Sequence, residues 1–409
     1  MTAHGRLLPY GRQTIEEDDI AAVAAVLRSP WLTGGPTVDR FEQAFAAKVG
    51  AEHAVACSSG TAALHLACLA LGLGPGDGVV VPTLTFAATA NSARFVGAEV
   101  VFADVDAETG LMRPDHLADA ISRAWTSGIR VKAVCPVHLN GQTADGERVA
   151  AIARRQGLRV IEDCCHAVGA GYRSADGTWH PVGGCRHGEM AVFSLHPVKT
   201  VTMGEGGVVT TNDGALFRRL RRLRNHGIVR EAAAFEDPGL GHGQDGTPNP
   251  WYYELPEVGY NYRASDIHCA LGLSQLDKLG RFVAIRRHLA KCYDRMLRPL
   301  LPLVRPIGRV SGCRPAWHLY VVLIDFEAVG IGRGELMRRL ERRGIGTQVH
   351  YVPLHLQPYY RRRYGELAMP GAQSYYARCL SLPLFPAMSE ADVGRVVDAL
   401  AASLREAVA

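Results

Sequence analysis

Over the first 280 residues, short apolar runs alternate with segments whose apolar positions recur at helical spacing. Ile20, Val23, Val26 and Leu27 have that spacing, and Thr14-Ile15-Glu16-Glu17 before them has the form of a capping box. A second helix is expected from Thr61 to about Leu71, stopped by the glycines of LGLGPGDG. Val79-Val80-Val81 then predicts a short strand. Further strands are expected at VVFADV (100–105), VKAVCPV (131–137), LRVIED (158–163), MAVFSL (190–195) and GVVTTN (207–212). Helical stretches separate several of them, such as Ala144 to Gln156 with Val149, Ile152 and Ala153 on one face. Short apolar strands alternating with helices predict an α/β fold with a mostly parallel sheet covered on both sides.

The pattern changes near residue 280. Arg-rich helical stretches (281–300 and 333–344) flank a strand, HLYVVLIDF (318–326), and residues 389–407 form an amphipathic helix. A large α/β domain over 1–280 and a smaller α/β domain over 281–409 are therefore expected. Residues 231–257 are rich in Gly, Pro and acids and predict a long surface loop, a kind of segment that is often functional. No internal repeat is visible.

Composition narrows the class. Hydrophobic residues make up 47% and charged residues 21%, ordinary usage for a chain that buries a sizeable core. The net charge of +5 suits a small anionic substrate and is too small to argue for nucleic acid. Ten cysteines are scattered without a CxxC pair, as expected for reduced thiols in a cytoplasmic protein. The N-terminal residues lack the apolar core of a signal peptide, and no apolar run is long enough to span a membrane.

Candidate chemistry clusters at strand ends. Lys199 follows a strand and precedes a glycine-rich turn, in FSLHPVKTVTMGEGG. An amine that attacks a carbonyl must be deprotonated and held rigidly, which a buried lysine at a sheet edge satisfies. A lone lysine is ordinarily a surface residue, but here Ser194 stands five residues earlier, His196 and Glu205 bracket it, and Gly206 and Gly207 let the backbone pass close to a ligand. Asp163 ends a strand, where ligands of open α/β sheets bind. A carboxylate there is placed to pair with a protonated pyridine nitrogen; taken alone it is as well explained as a helix cap. His166 lies one turn on. Cys57-Ser58-Ser59-Gly60-Thr61 carries a strand into a helix through a small-residue turn, the form of a phosphate site. Phe86 follows another strand and is placed to stack on a flat ring, or simply to fill core.

Other features point away from competing chemistry. LGLGPGDG precedes a strand instead of opening a helix, which argues against a dinucleotide site. RRLRRLRNH (218–226) continues a stripe of Phe217, Leu220 and Leu223, so its arginines form a solvated helix face. The sixteen histidines show no HExxH or other tight metal spacing, and no GxSxG is present. No metal is expected.

The ordered set of phosphate turn, aromatic, Asp-x-x-His, Ser-x4-Lys and then GYNYR resembles the DegT/DnrJ/EryC1/StrS family of pyridoxal phosphate (PLP)-dependent sugar aminotransferases. The resemblance runs from LPYGRQTI to SLPLFP. SPWLTGGPTVDRFEQAFA, PVHLNGQTAD, IEDCCHAVGA, GYNYRASDIHCALGLSQL and HYVPLHLQPYY are similar to UDP-4-amino-4,6-dideoxy-N-acetyl-β-L-altrosamine transaminases of pseudaminic acid synthesis. The resemblance implies the type I aminotransferase fold and a homodimer with shared active sites. It implies PLP as cofactor, with pyridoxamine phosphate as its aminated form, and a UDP-linked ketosugar and L-glutamate as substrates. Lys199 would carry the cofactor and act as acid and base, and Asp163 would hold the pyridine nitrogen. Gly60, Thr61 and Ser194 would hold the phosphate, joined by Asn261 from the other subunit. Phe86 would cover the ring and His166 lie near it. Substrate contacts would come from Tyr10, Pro30, Trp31, Leu32 and Thr33, from His318, Leu319 and Tyr320, and at the rim from His350, Tyr351 and His355. SSGTAA departs from the NSATSA of similar chains, a change that a backbone-mediated contact tolerates. Gly146 stands where an apolar residue is common, and Cys164-Cys165 replaces small residues. Two alternatives compete. A sugar dehydratase of the same family would carry His in place of Lys199, and a non-catalytic regulator on this fold would lose Lys199 or Asp163.

Overall fold

The computed structural model describes residues 7–406. The first six residues and the last position of the helix expected at 389–407 lie outside the described residues.

Strands β1 (His53–Cys57), β2 (Asp77–Pro82), β3 (Glu99–Ala103), β4 (Arg130–Val134) and β5 (Arg159–Asp163) fall where the apolar runs place them. A small hairpin, β6 (Gly171–Arg173) and β7 (Trp179–Pro181), precedes β8 (Met190–Ser194) and β9 (Gly207–Thr211). Seven of these strands form one sheet in the order β1-β9-β8-β5-β4-β2-β3, in which β9 alone runs against the others. The continuous apolar runs have a physical cause: β2 and β9 are buried along their whole length, because helices cover both faces. The expected mostly parallel sheet is observed.

A second, antiparallel sheet follows: β10 (Val304–Pro306), β12 (Tyr320–Ile324) and β13 (Cys379–Leu382), with β12 central. The two-residue strand β11 (Cys313–Arg314) pairs with the hairpin strand β6. The helices Leu279–Met296 and Glu390–Arg405 pack beside the second sheet's strands in the same core. We propose a domain boundary near residue 280, where the helix Leu279–Met296 leads away from the large sheet. The N-terminal segment crosses that boundary: Leu8 bridges to Ile345, and Tyr10 accepts the N–H of Leu384 at 3.0 Å.

Three elements differ from the sequence pattern. The first helix spans Glu17–Leu27, and its cap is Glu16, whose N–H donates to Asp19 at 2.9 Å. Thr14 plays no part in that cap. The helix start is set by Asp19, fully buried against Lys278 at 2.6 Å. The stripe of that helix is also only partly covered, with Ile20 53% and Leu27 57% exposed. The helix Pro36–Val49 was not anticipated, although Phe41, Phe45 and Val49 at four-residue spacing form its buried face. Residues 231–257 form the expected long loop, with two short helical turns, Ala232–Ala234 and Pro238–Gly241. The helix Gly214–Arg224 keeps Leu220 and Leu223 inside, as its stripe predicts. All ten cysteines are free thiols, and all but Cys165 and Cys313 are buried.

One buried ion pair anchors β1. Glu42 accepts the N–H of Ala56 at 2.8 Å and the guanidinium of Arg224. Arg224→Met leaves that carboxylate buried and alone. Urea unfolding is expected to show a loss of about 3 to 5 kcal/mol, and adding Glu42→Gln should restore part of it.

Candidate active site

Asp163 ends β5 and is buried. Its two carboxylate oxygens accept from different elements: Oδ1 takes the N–H of Cys165 at 3.0 Å, and Oδ2 the hydroxyl of Thr89 at 2.7 Å. Thr89 is in turn bonded to Thr85 at 2.8 Å. Thr85 and Thr89 sit one turn apart at the start of the helix Ala87–Phe95, so the helix aims a hydroxyl at the strand end.

Lys199 lies in the loop between β8 and β9. The loop is pinned at its base, with Leu195 donating to Gly206 at 2.9 Å and Met203 donating to Leu195 at 3.0 Å. Lys199 donates its own N–H to His196 at 2.8 Å. Burial lowers the pKa of its amine, and the charges of Cys165 and Asp163 oppose that shift without overcoming it. A lowered pKa leaves more free amine for attack at neutral pH.

The turn at 58–61 closes the third side. Ser59 caps the helix Gly60–Ala70, accepting from Ala62 at 3.1 Å. The first-turn N–H groups of Gly60 and Thr61 have no partner among the described residues. Two glycines make the convergence possible. A Cβ on Gly60 would lie 2.8 Å from that of Ser194, and one on Gly207 would lie 2.2 Å from the carbonyl oxygen of Ser59.

These segments surround a cavity of about 570 Å³. Gly60, Thr61, Phe86, Asp163, His166, Ser194 and Lys199 line it, together with Tyr10, His318, His350 and Tyr351. His166 accepts the N–H of Asn140 on Nδ1 at 3.3 Å, so its proton sits on Nε2, 3.1 Å from the Tyr351 hydroxyl. Burial, with Lys199 next in weight, holds His166 and His318 well below the usual histidine range and His350 at about 3. All three rings are neutral at physiological pH.

Other expected positions lie off the cavity. Leu319 and Tyr320 are core residues: Tyr320 stacks on Tyr293 and donates its hydroxyl to Asp294 at 2.8 Å. His318 stands in the bend before β12 and lines the cavity, whereas Leu319 and Tyr320 turn into the core. His355 is buried with Nδ1 on the Thr83 hydroxyl at 2.7 Å. Pro30, Trp31, Leu32, Thr33 and Asn261 are exposed on the surface of the chain, outside the cavity. Sequence reasoning missed Thr85, Thr89 and Gln348, which also line it. The four-residue spacing of the threonines at a helix start was the available signal.

The donor set fits a phosphorylated pyridine: two unpartnered N–H groups at a helix start beside a serine hydroxyl, a fixed carboxylate, and an unpaired lysine. Fold and site together define a fold type I, PLP-dependent aminotransferase. When bound, PLP supplies the electron sink and carries the amino group. The DegT/DnrJ/EryC1/StrS aminotransferase family matches residues 13–401, and the chain belongs to it. It is 39% identical over 396 residues to the spore coat polysaccharide biosynthesis protein SpsC of Bacillus subtilis, covering 96% of each chain. Among solved structures it is similar to Helicobacter pylori PseC, an aminotransferase of pseudaminic acid biosynthesis (TM-score 0.87, 26% identity, 98% of this chain and 100% of that one). It is also similar to the putative sugar aminotransferase Spr1654 of Streptococcus pneumoniae, solved in PLP and PMP forms. The PLP form gives a TM-score of 0.84 at 25% identity, over 98% of this chain and 100% of that one. The protein is a PLP-dependent sugar aminotransferase.

Two outcomes follow for this site. Cofactor capture needs the uncharged Lys199 amine, so its rate rises with pH and levels off below the usual lysine range. Stopped-flow absorbance on the unloaded enzyme reads this, and Lys199→Ala abolishes the covalent spectrum. Thr89→Val removes one of the two donors on Asp163, and PLP affinity should fall about tenfold in fluorescence titration.

Proposed function

We propose that the enzyme moves the amino group of L-glutamate to C4 of a UDP-4-keto-6-deoxy-N-acetylhexosamine, UDP-2-acetamido-2,6-dideoxy-β-L-arabino-hex-4-ulose. The products are the UDP-4-amino sugar and 2-oxoglutarate. The observation that carries amino transfer is Lys199 itself: a lysine, with no ion pair to a described residue, in one cavity with Asp163. The sugar assignment rests on likeness to the pseudaminic acid enzyme PseC and on the segments quoted above.

In this reading Asp163 holds the cofactor's ring nitrogen, while Gly60, Thr61 and Ser194 hold its phosphate. Phe86 and His166 flank the ring. Lys199 Nζ would take the proton from the donor's α-carbon in the first half of the transfer and deliver one to the ketone carbon that receives the amino group in the second. Tyr10, His318, His350 and Tyr351 wall the substrate side. We place the reaction in the cytoplasm, in pseudaminic acid synthesis.

A homodimer accounts for the residues that one chain leaves outside. Trp31 and Leu32 are about half exposed, and so are Ile20 and Leu27 of the helix before them. Trp251, Leu255 and Val258 stand out from the region of the long loop. Covering such side chains is what a second copy provides. Asn261 and Pro30 to Thr33 would then complete the neighbouring site. Asn225, bridged to Asn261, lines a second cavity of about 510 Å³ with Arg218, Arg221, Arg222, Arg230 and Arg263. Arg222 is held by Glu257 and Arg221 lies 3.9 Å from Asp39, so Arg218, Arg230 and Arg263 are the cations that suit the diphosphate of a sugar nucleotide.

The test offers L-glutamate with a panel of UDP- and dTDP-linked ketosugars and follows 2-oxoglutarate. Turnover is expected with the UDP-4-ketosugar. Strong turnover of a dTDP-3-ketosugar alone would overturn the substrate and leave the class intact. Release of a deoxygenated sugar without net amine transfer would point to a dehydratase.

A further inference from the structure

Arg286, on the helix Leu279–Met296, is completely shielded from solvent. No carboxylate among the described residues offsets its charge, and burial alone pulls its pKa down to about 10. One terminal nitrogen, Nη1, faces three backbone carbonyls instead: Leu384 at 2.9 Å, and Trp317 and His318 at 3.3 Å each. Its Nε has no partner among the described residues. A buried cation held this way is expensive, and an apolar side chain would fill the space at lower cost.

The three carbonyls locate what it holds. Trp317 sits in the left-handed region at φ 45°, so the chain turns sharply just before β12. Ala316 donates to Gly141 at 3.0 Å on the other side of the turn. His318, the next residue, lines the active-site cavity with its ring centroid 4.3 Å from that of His166.

We propose that Arg286 is a positioning residue for the reaction: from behind the cavity wall it fixes the Trp317–His318 backbone and so aims the His318 ring at the bound substrate. Its charge acts on the same ring. His318 faces Lys199 from the loop after β8, His166 from beyond β5, His350 from the segment before β13, and Arg286 from the helix behind. All four disfavour its protonation, with burial contributing most. The inference rests on the aminotransferase assignment and not on the identity of the sugar.

The test compares the PLP-loaded enzyme with Arg286→Lys and Arg286→Met, each also in a His318→Gln background. Histidine NMR follows the His318 titration, and kcat/KM for the amino-donor half-reaction is measured against pH. In Arg286→Met, His318 is expected to titrate higher than in the wild type, and the acid limb of kcat/KM to move up with it. Arg286→Lys keeps the charge and the wild-type titration. It loses part of kcat/KM, because an ammonium cannot reproduce the planar guanidinium's contacts. In the His318→Gln background either change should cost little more. An unmoved titration in Arg286→Met, or losses that add in the double variants, would overturn the proposal. If Arg286→Met fails to fold, Arg286→Lys decides by whether its loss disappears in the His318→Gln background.

Discussion

Lys199 and Asp163 share one small cavity and do not pair, and the site depends on that separation. A buried carboxylate beside a lysine ordinarily captures it as an ammonium. Here Asp163 is already occupied by the N–H of Cys165 and the hydroxyl of Thr89. The lysine is fixed through its own backbone on a different loop. Both positions follow from strand order: β5 and β8 are parallel neighbours with Asp163 beside Val192, so their carboxyl ends deliver the acid and the lysine loop to one edge. Gly60 and Gly207 then let the 58–61 turn close against that edge, where any side chain would collide.

The large sheet was legible because its strands are buried on both faces and so appear as unbroken apolar runs. The convergence of Asp163, Lys199 and the 58–61 turn on one cavity was legible for a related reason, since each stands at or soon after the end of such a run. What escaped was set by contacts distant in sequence. The start of the first helix depends on Asp19 meeting Lys278, which no local pattern contains. Tyr320 was expected beside His318 at the cavity, but it is drawn into the core by Tyr293 and Asp294, on a helix about 26 residues earlier in the chain. Thr89 acts through a hydroxyl that reaches a strand 74 residues away.

The departure at Gly146 has a packing explanation. A Cβ there would lie 3.1 Å from the His187 ring and 3.5 Å from the carboxylate of Glu162. Glu162 is buried on β5, directly before Asp163, with His138 3.4 Å away. The glycine gives room to a polar cluster under the strand that carries Asp163. The Cys164-Cys165 doublet also lies against that strand end. Burial raises both thiols well above the usual range, which makes them packing groups and poor nucleophiles.

The cavity is lined from two parts of the fold. Asp163, Ser194, Lys199, Gly60 and Thr61 all hang from the ends of the large sheet. Tyr10, His318, His350 and Tyr351 all belong to the second sheet's side: Tyr10 is bonded to Leu384, and His350 holds Nδ1 on the Ser381 hydroxyl of β13 at 2.8 Å. The residues suited to a common cofactor therefore sit on the rigid parallel sheet. The other four sit beside the second sheet, where side chains can change without disturbing the lysine or the carboxylate. Of the three neutral histidines, His318 and His350 lie on this second side and His166 follows β5 of the large sheet. Uncharged, the three add no further positive charge beside Lys199, whose own pKa is already lowered by burial.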